Sequence, residues 1–134
     1  MKGQYLAVEY IFVIGLSLIL VIASVGLFNA YREEVVETSI DGQTDIVASK
    51  MSVQLYNLKQ HEQGTVEKTI QLPESMGDRD YEIILANPSN LIIDIQGEEY
   101  SYEFPSLSDY DFSGDAEGGD ITLYKNNNQI SIAG

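Results

Sequence analysis

The spacing of apolar residues along the chain changes twice, and each stretch predicts a different element. From Tyr10 to Tyr31 the chain carries no charged residue. About 20 apolar residues in helical form cross a bilayer core about 30 Å thick, so residues 4–31 are predicted to form a helix that faces lipid, as a transmembrane segment, or other apolar helices. Residues 32–62 are predicted to continue this helix in amphipathic form, with Gly42 marking a bend. Their apolar residues recur at spacings of three, four and seven: Val36, Ile40, Val47, Met51, Leu55 and Leu58.

After Gly64 the apolar residues alternate with polar ones, which is the period of a half-buried strand. Turn-forming residues separate the strands, including Asn87-Pro88 and Gln96-Gly97. Short connections favour antiparallel pairing. The chain is therefore predicted to be α+β, with residues 63–134 forming an antiparallel β-rich head, either one sheet or a sandwich. Six strands are predicted: 65–72, 81–86, 91–95, 99–104, 121–125 and 129–133.

Charge is distributed unevenly along the chain. Lys2 and Glu9 cancel within the first 31 residues, so the net charge of −14 arises from the six basic and twenty acidic residues that follow. An acidic domain repels nucleic acid, and we expect no nucleic-acid partner. The chain has no Cys and one His, which excludes thiol chemistry and most His-based sites. No catalytic motif is present, and the chain is not predicted to be an enzyme.

One acidic segment has the spacing of a cation-binding loop. Residues 109–120 resemble the loop of an EF-hand, although the flanking segments read as strand or loop rather than as two helices. Gly114 stands where such a loop turns sharply, and a hard cation takes six to eight oxygen ligands. The resemblance predicts calcium as the one candidate cofactor, in a structural role. A solvated acidic loop between strands is the alternative. The predicted ligands are Asp109, Asp111, Ser113, Asp115, Glu117 and Asp120.

The apolar N-terminal stretch has three interpretations. A secretory signal peptide usually has an apolar region of about 7–15 residues, which is shorter than this one. A plain membrane anchor also fits. The third interpretation is a leader that is removed before the apolar helix. Because Lys2 lies before the helix and the carboxylates lie after it, the positive-inside preference places residues 32–134 outside the cell.

The third interpretation rests on a short motif, Lys2-Gly3-Gln4 followed by Glu9-Tyr10 and the apolar run. Over residues 2–28 the chain resembles archaeal type IV pilin-like proteins with a class III signal peptide. That resemblance implies a leader of residues 1–3, cut after Gly3 by a prepilin peptidase. Gln4 would then be the first mature residue and Glu9 the sixth, whereas the family places this Glu fifth. Cleavage after Gln4 would restore the family spacing.

Glu9 has two expected roles. In a filament its carboxylate would pair with the free N-terminal amine of a neighbouring subunit. Otherwise it would lie at the headgroup interface, where the positive end of the helix dipole favours it. In either position its cost is lower than at the bilayer centre, where a charged residue costs roughly 2–3 kcal/mol on insertion scales.

The resemblance implies a structural subunit of an extracellular type IV pilus-like filament, built by bundling of the N-terminal helices. Its partners would be further copies of itself, the membrane before assembly and the peptidase. Such filaments serve adhesion, motility or DNA uptake. The alternative is a single-pass surface accessory protein whose head binds a cell-envelope or motor partner.

Overall fold

The computed structural model describes residues 2–61 and 63–134. Met1 of the predicted leader and Glu62 at the end of the predicted amphipathic helix lie outside the described residues. The chain divides into two compact units, residues 1–38 and 39–134. The boundary between them falls inside the segment predicted to be the amphipathic helix.

One α-helix, α1, runs over Lys2–Gln60, as the sequence predicts. No proline occurs before Pro73, so nothing in this stretch removes a helical hydrogen bond. The helical assignment continues through Gly42. Lys59 in the last turn faces the negative end of the helix dipole. Gly64, which lies between the end of the helix and the first strand, has a φ of +98°, which glycine adopts without steric cost.

Over residues 63–134, eight strands follow the helix, two more than predicted. The two additional strands, β5 and β6, lie inside the segment predicted to be an acidic loop, and that part of the prediction is wrong. A short 3₁₀ turn, Pro105–Leu107, precedes them. The strands are β1 Thr65–Gln71, β2 Glu82–Ala86, β3 Asn90–Ile95, β4 Glu98–Glu103, β5 Asp111–Ser113, β6 Asp115–Glu117, β7 Asp120–Asn126 and β8 Gln129–Ala133.

The strands form two four-stranded sheets, so the β region is a sandwich rather than one sheet. The first sheet has the order β1-β7-β8-β5 and the second β4-β3-β2-β6. All neighbouring strands are antiparallel except β5 and β8, which are parallel. The predicted α+β class with an antiparallel-rich β region is thus confirmed.

Gly114 joins the two sheets, because β5 and β6 are consecutive strands in different sheets. Its φ is +95°, which other residues rarely adopt. The backbone of Ile132 passes so close that a Cβ built on Gly114 would lie 2.4 Å from the Ile132 carbonyl oxygen. The Gly114 carbonyl accepts a hydrogen bond of 2.9 Å from the amide of Leu85 in β2.

The core of the second unit is built from both sheets and the second part of α1. Every residue of the predicted apolar stripe from Ile40 to Leu58 is buried. Thr44 is also buried, and its hydroxyl donates to the Asp41 carbonyl at 2.8 Å, which offsets the cost of burying it. The strands contribute side chains that are at most 1% exposed: Ile83, Leu91, Ile93, Ile95, Ile121, Leu123 and Ile130.

Polar contacts fix the helix to the strands at both ends of its buried face. The Gln43 side-chain oxygen accepts from the Gly77 amide at 3.1 Å. At the other end, Lys125 of β7 is 1% exposed, and its ammonium group donates to the carbonyl of His61, just after the helix. The same ammonium group lies 5.9 Å from the centre of the Tyr110 ring, within the range of a cation–π contact.

Replacing Gly114 with Ala is expected to lower the free energy of unfolding by more than about 3 kcal/mol, since the new Cβ combines left-handed backbone strain with overpacking. Gly97 is the matched control. Its φ is also +95°, but a Cβ there meets nothing within 4 Å, so Gly97→Ala should cost only about 1–2 kcal/mol. Urea unfolding of the full chain in detergent micelles, followed by tyrosine fluorescence, measures both. Equal losses would contradict this account of the sheet junction.

Candidate functional site

The residues predicted for processing and assembly lie on the first turns of α1. Gly3, Gln4 and Glu9 are helical and exposed. Among the described residues of the first unit, 2–38, none is buried. This part of the helix is long and apolar enough to cross a membrane by length and composition, with a mean hydropathy of 2.8 over its most apolar window.

From Tyr10 to Tyr31 the surface of the helix is almost entirely apolar, and the flanking Tyr5 is exposed as well. Tyr5 is 78% exposed, and Phe12 and Leu27 are 75% and 74% exposed. The two serines add little polarity, because each hydroxyl donates to a carbonyl one turn earlier in the same helix. Ser17 donates to Val13 and Ser24 to Leu20, both at 2.7 Å. Neither serine thus presents an unsatisfied hydroxyl to an apolar surrounding.

Small residues leave openings in this apolar surface. A Cβ built on Gly3, Gly15 or Gly26 would meet nothing within 4 Å. Around Gly15 the surface forms a shallow apolar depression lined by Ile11, Phe12, Leu16 and Ile19. Openings of this kind let a second helix approach closely, which favours association in an apolar medium.

The six predicted calcium ligands are spread over several elements. Asp109 lies in the turn after the 3₁₀ segment, Asp111 and Ser113 on β5, Asp115 and Glu117 on β6, and Asp120 at the start of β7. Because β5 and β6 belong to different sheets, the twelve residues do not wrap around one point. Over residues 2–61 and 63–134, no group of three or more His, Asp or Glu side chains is arranged to hold a metal ion. Calcium binding stays a prediction.

Asp115 and Glu117 instead belong to an acidic face of the second sheet. The pairing register places Glu117 opposite Glu82, Glu82 opposite Asp94, and Asp94 opposite Glu99. These four carboxylates, here called the acidic row, cross β6, β2, β3 and β4 in turn. Like charges directly opposite one another destabilise a sheet.

Glu82 lies in the middle of the acidic row, and its pKa is raised above the usual range of a glutamate. The main cause is a hydrogen bond to the side chain of Asp115, which requires a proton. Burial and the negative charges of Asp115, Asp94 and Glu117 act in the same direction.

A surface depression lies beside the acidic row, and Tyr81 forms part of its lining. Tyr81 has a structural role there. Its hydroxyl donates to the Pro73 carbonyl at 2.5 Å, and burial raises the pKa of Tyr81 to about 12. A Cβ on Gly118 would come within 2.5 Å of the Tyr81 ring, so the small residue is needed for this packing. Tyr81 therefore stays neutral and anchors the segment before β2.

The acidic row was not predicted, although the pattern of the sequence contains the residues and turns that indicate it. Glu82, Asp94 and Glu99 occupy outward positions of three predicted strands. The two short turns between these strands, at Asn87–Ser89 and Gln96–Gly97, fix the register. Combining register with alternation would have placed the three carboxylates side by side.

Comparisons with protein-family models, with curated proteins and with solved structures find no match to this chain. The resemblance at the N-terminus therefore rests on the quoted motif alone.

Glu82→Gln is expected to raise the urea midpoint of unfolding at neutral pH, because it removes the central charge of the acidic row. For the unchanged chain, the raised pKa of Glu82 means that the folded state binds a proton more tightly than the unfolded state. Stability should therefore rise as the pH falls from neutral toward the usual glutamate range. Urea unfolding across this range checks both expectations.

Glu103→Gln is the matched control for this measurement. Glu103 is exposed on the same face of the same sheet but lies opposite Asn90, so its removal should change the midpoint little. The advantage of Glu82→Gln should also shrink at about 1 M salt, where the screening length is about 3 Å. Equal effects of the two substitutions would show that repulsion between the carboxylates of the acidic row does not destabilise the folded chain.

Proposed function

We propose that this chain is a structural subunit of an extracellular type IV pilus-like filament. The N-terminal helix would hold the subunit in the membrane first and would then bundle with the helices of other copies. The observation that carries the proposal is the exposure of the apolar helix, since no described residue among 2–38 is buried.

The exposed apolar surface of this helix is unfavourable in water and needs to be buried against lipid or protein. Apolar area in water costs roughly 25 cal/mol per Å² relative to burial, and lipid or other apolar helices remove that cost. The satisfied hydroxyls of Ser17 and Ser24 and the openings at Gly15 and Gly26 suit helix–helix packing in both surroundings. A bundle of identical helices would shelter this surface after the chain leaves the membrane.

The N-terminal motif supplies the processing step in the proposal. A prepilin peptidase would cut after Gly3 or Gln4, and the new amine would meet the Glu9 carboxylate of a neighbouring copy. Such a pair offsets the cost of placing a carboxylate beside apolar helices. Both Gly3 and Glu9 are exposed, which leaves the motif accessible to an enzyme and to a neighbour.

The second unit would form the outer surface of the filament. It carries most of the acidic residues, which favour a hydrated position outside the cell and disfavour nucleic acid as a partner. In this proposal the head is a structural module without catalytic activity.

Co-expression with a prepilin peptidase tests the proposal. Mass spectrometry should find an N-terminus at Gln4 or Tyr5, and electron microscopy of sheared surface material should show filaments. Where the N-terminus found is Gln4, Gly3→Val should block cleavage and filament formation because it alters the residue at the cut bond. Ala7→Val adds bulk to the same helix without changing that bond, so it should still be cut.

Two other outcomes of this experiment would each indicate a different function. An intact N-terminus at Met1, with the chain held in the membrane and no filaments, would contradict the proposal and favour the anchored accessory protein. A cut after the apolar helix would identify residues 4–31 as a secretory signal.

A further inference from the structure

The second unit exposes apolar side chains on the part of α1 that faces away from the core. Four large apolar side chains are exposed within residues 39–61 and 63–134, and three of them, Ile46, Val53 and Tyr56, lie on α1. Ile46 and Val53 are 57% and 56% exposed. The remaining one, Tyr124, lies on β7.

These three side chains of α1 form one regular line with two small residues, Gly42 before Ile46 and Ser49 between Ile46 and Val53. Gly42, Ile46, Ser49, Val53 and Tyr56 follow one another at spacings of four, three, four and three; this line is here called the outer seam. At 100° per residue the centre of the seam lies on the side of the helix opposite the buried residues. Its Tyr56 end borders the β region, where the Tyr56 hydroxyl accepts a hydrogen bond of 2.5 Å from the Ser106 hydroxyl. Alternating spacings of three and four are the pattern by which one helix packs against another helix.

We propose that the outer seam binds the outer seam of a second copy of this chain, as a parallel helix pair. This inference deepens the proposed function, because it rests on both copies being held in the same membrane. Two chains anchored by the same apolar segment leave the membrane at the same residue, so the two seams begin the same number of residues from it and are available for parallel pairing in register. Membrane anchoring also raises their effective concentration.

The residues of the seam suit this partner in size. Gly42 costs about 1 kcal/mol relative to Ala inside a helix, and a Cβ there would meet nothing within 4 Å of its own chain. Its small size therefore serves no packing within the described residues. Ile46 and Val53 provide the bulky side chains of the seam, and Gly42 and Ser49 leave room for the opposite helix.

Charges beside the seam specify the parallel direction. Asp45 and Lys50 flank the seam on its two sides, five residues apart, and both are exposed. In a parallel pair these are the positions that meet across the interface, so Asp45 of each copy meets Lys50 of the other. Asp45 Oδ1 also accepts a bond of 3.0 Å from the Tyr102 hydroxyl, which fixes the carboxylate beside the seam.

Disulfide cross-linking of the full chain in lipid vesicles tests the pairing, since the chain has no cysteine of its own. Ser49→Cys places a thiol in the seam, and Ser101→Cys places one on the exposed outer face of the second sheet. Under mild oxidation, Ser49→Cys should form the disulfide dimer at least about tenfold faster than Ser101→Cys, because a disulfide needs two Cβ atoms about 4 Å apart. Equal rates, or no dimer from Ser49→Cys, would overturn the proposal.

Further substitutions on the Ser49→Cys background distinguish pairing through the outer seam from cross-linking by random collision. Ile46→Ser and Lys50→Glu should each slow dimer formation, whereas Tyr124→Ser, at the exposed aromatic residue on β7, should not. The charge exchange Asp45→Lys with Lys50→Glu should restore the rate. A rate unaffected by Lys50→Glu would contradict the parallel pairing.

The cross-linking results and the filament test can each succeed or fail without the other. If filaments form while Ser49→Cys fails to cross-link, the seam is wrong and the proposed function stands. If Ser49→Cys cross-links but the chain never forms filaments, the seam is right and the filament proposal fails.

Discussion

The exposed apolar surface of the first part of α1 constrains everything else about this chain. A globular protein buries its large apolar side chains against each other, but Phe12, Leu27 and their neighbours have no such cover among residues 2–38. The cover must come from outside the chain, as lipid or as other helices. The membrane-held state and the filament of the proposal would each bury this surface.

The second unit buries most of its large apolar side chains against other parts of the same chain. From Ile40 onward, the helix buries an apolar stripe against two sheets, and polar contacts from Gln43 and Lys125 fix its position. The same helix keeps a line of apolar and small residues on its opposite side. One helix thus meets two kinds of partner: its own sheets on one face and, in our proposal, a second copy on the other.

The sequence predicted most of this fold because the period of its apolar residues is clear. The helix, the buried stripe from Ile40 to Leu58 and six strands could all be read from spacing and turn residues. Strands β5 and β6 could not, since each has only three residues and one apolar side chain, Phe112 or Ala116. A segment so short and acidic looks like a loop until the long-range pairing with β8 and β2 is known.

The buried position of Lys125 and the place of Glu117 in the acidic row depend on long-range strand pairing, which the local pattern of apolar residues does not reveal. The other three carboxylates of the row lie on strands joined by short turns, so their alignment was open to prediction. The predicted processing motif is visible in the sequence, and the fold does not determine whether a peptidase cuts it. Its test is chemical.

The central claim is that the apolar helix needs a cover from outside the chain, and sedimentation of the uncut, full-length chain tests it most directly. After detergent removal, the account predicts that the chain floats with added lipid vesicles and, without them, sediments as large assemblies. A dispersed monomer in detergent-free buffer would contradict it.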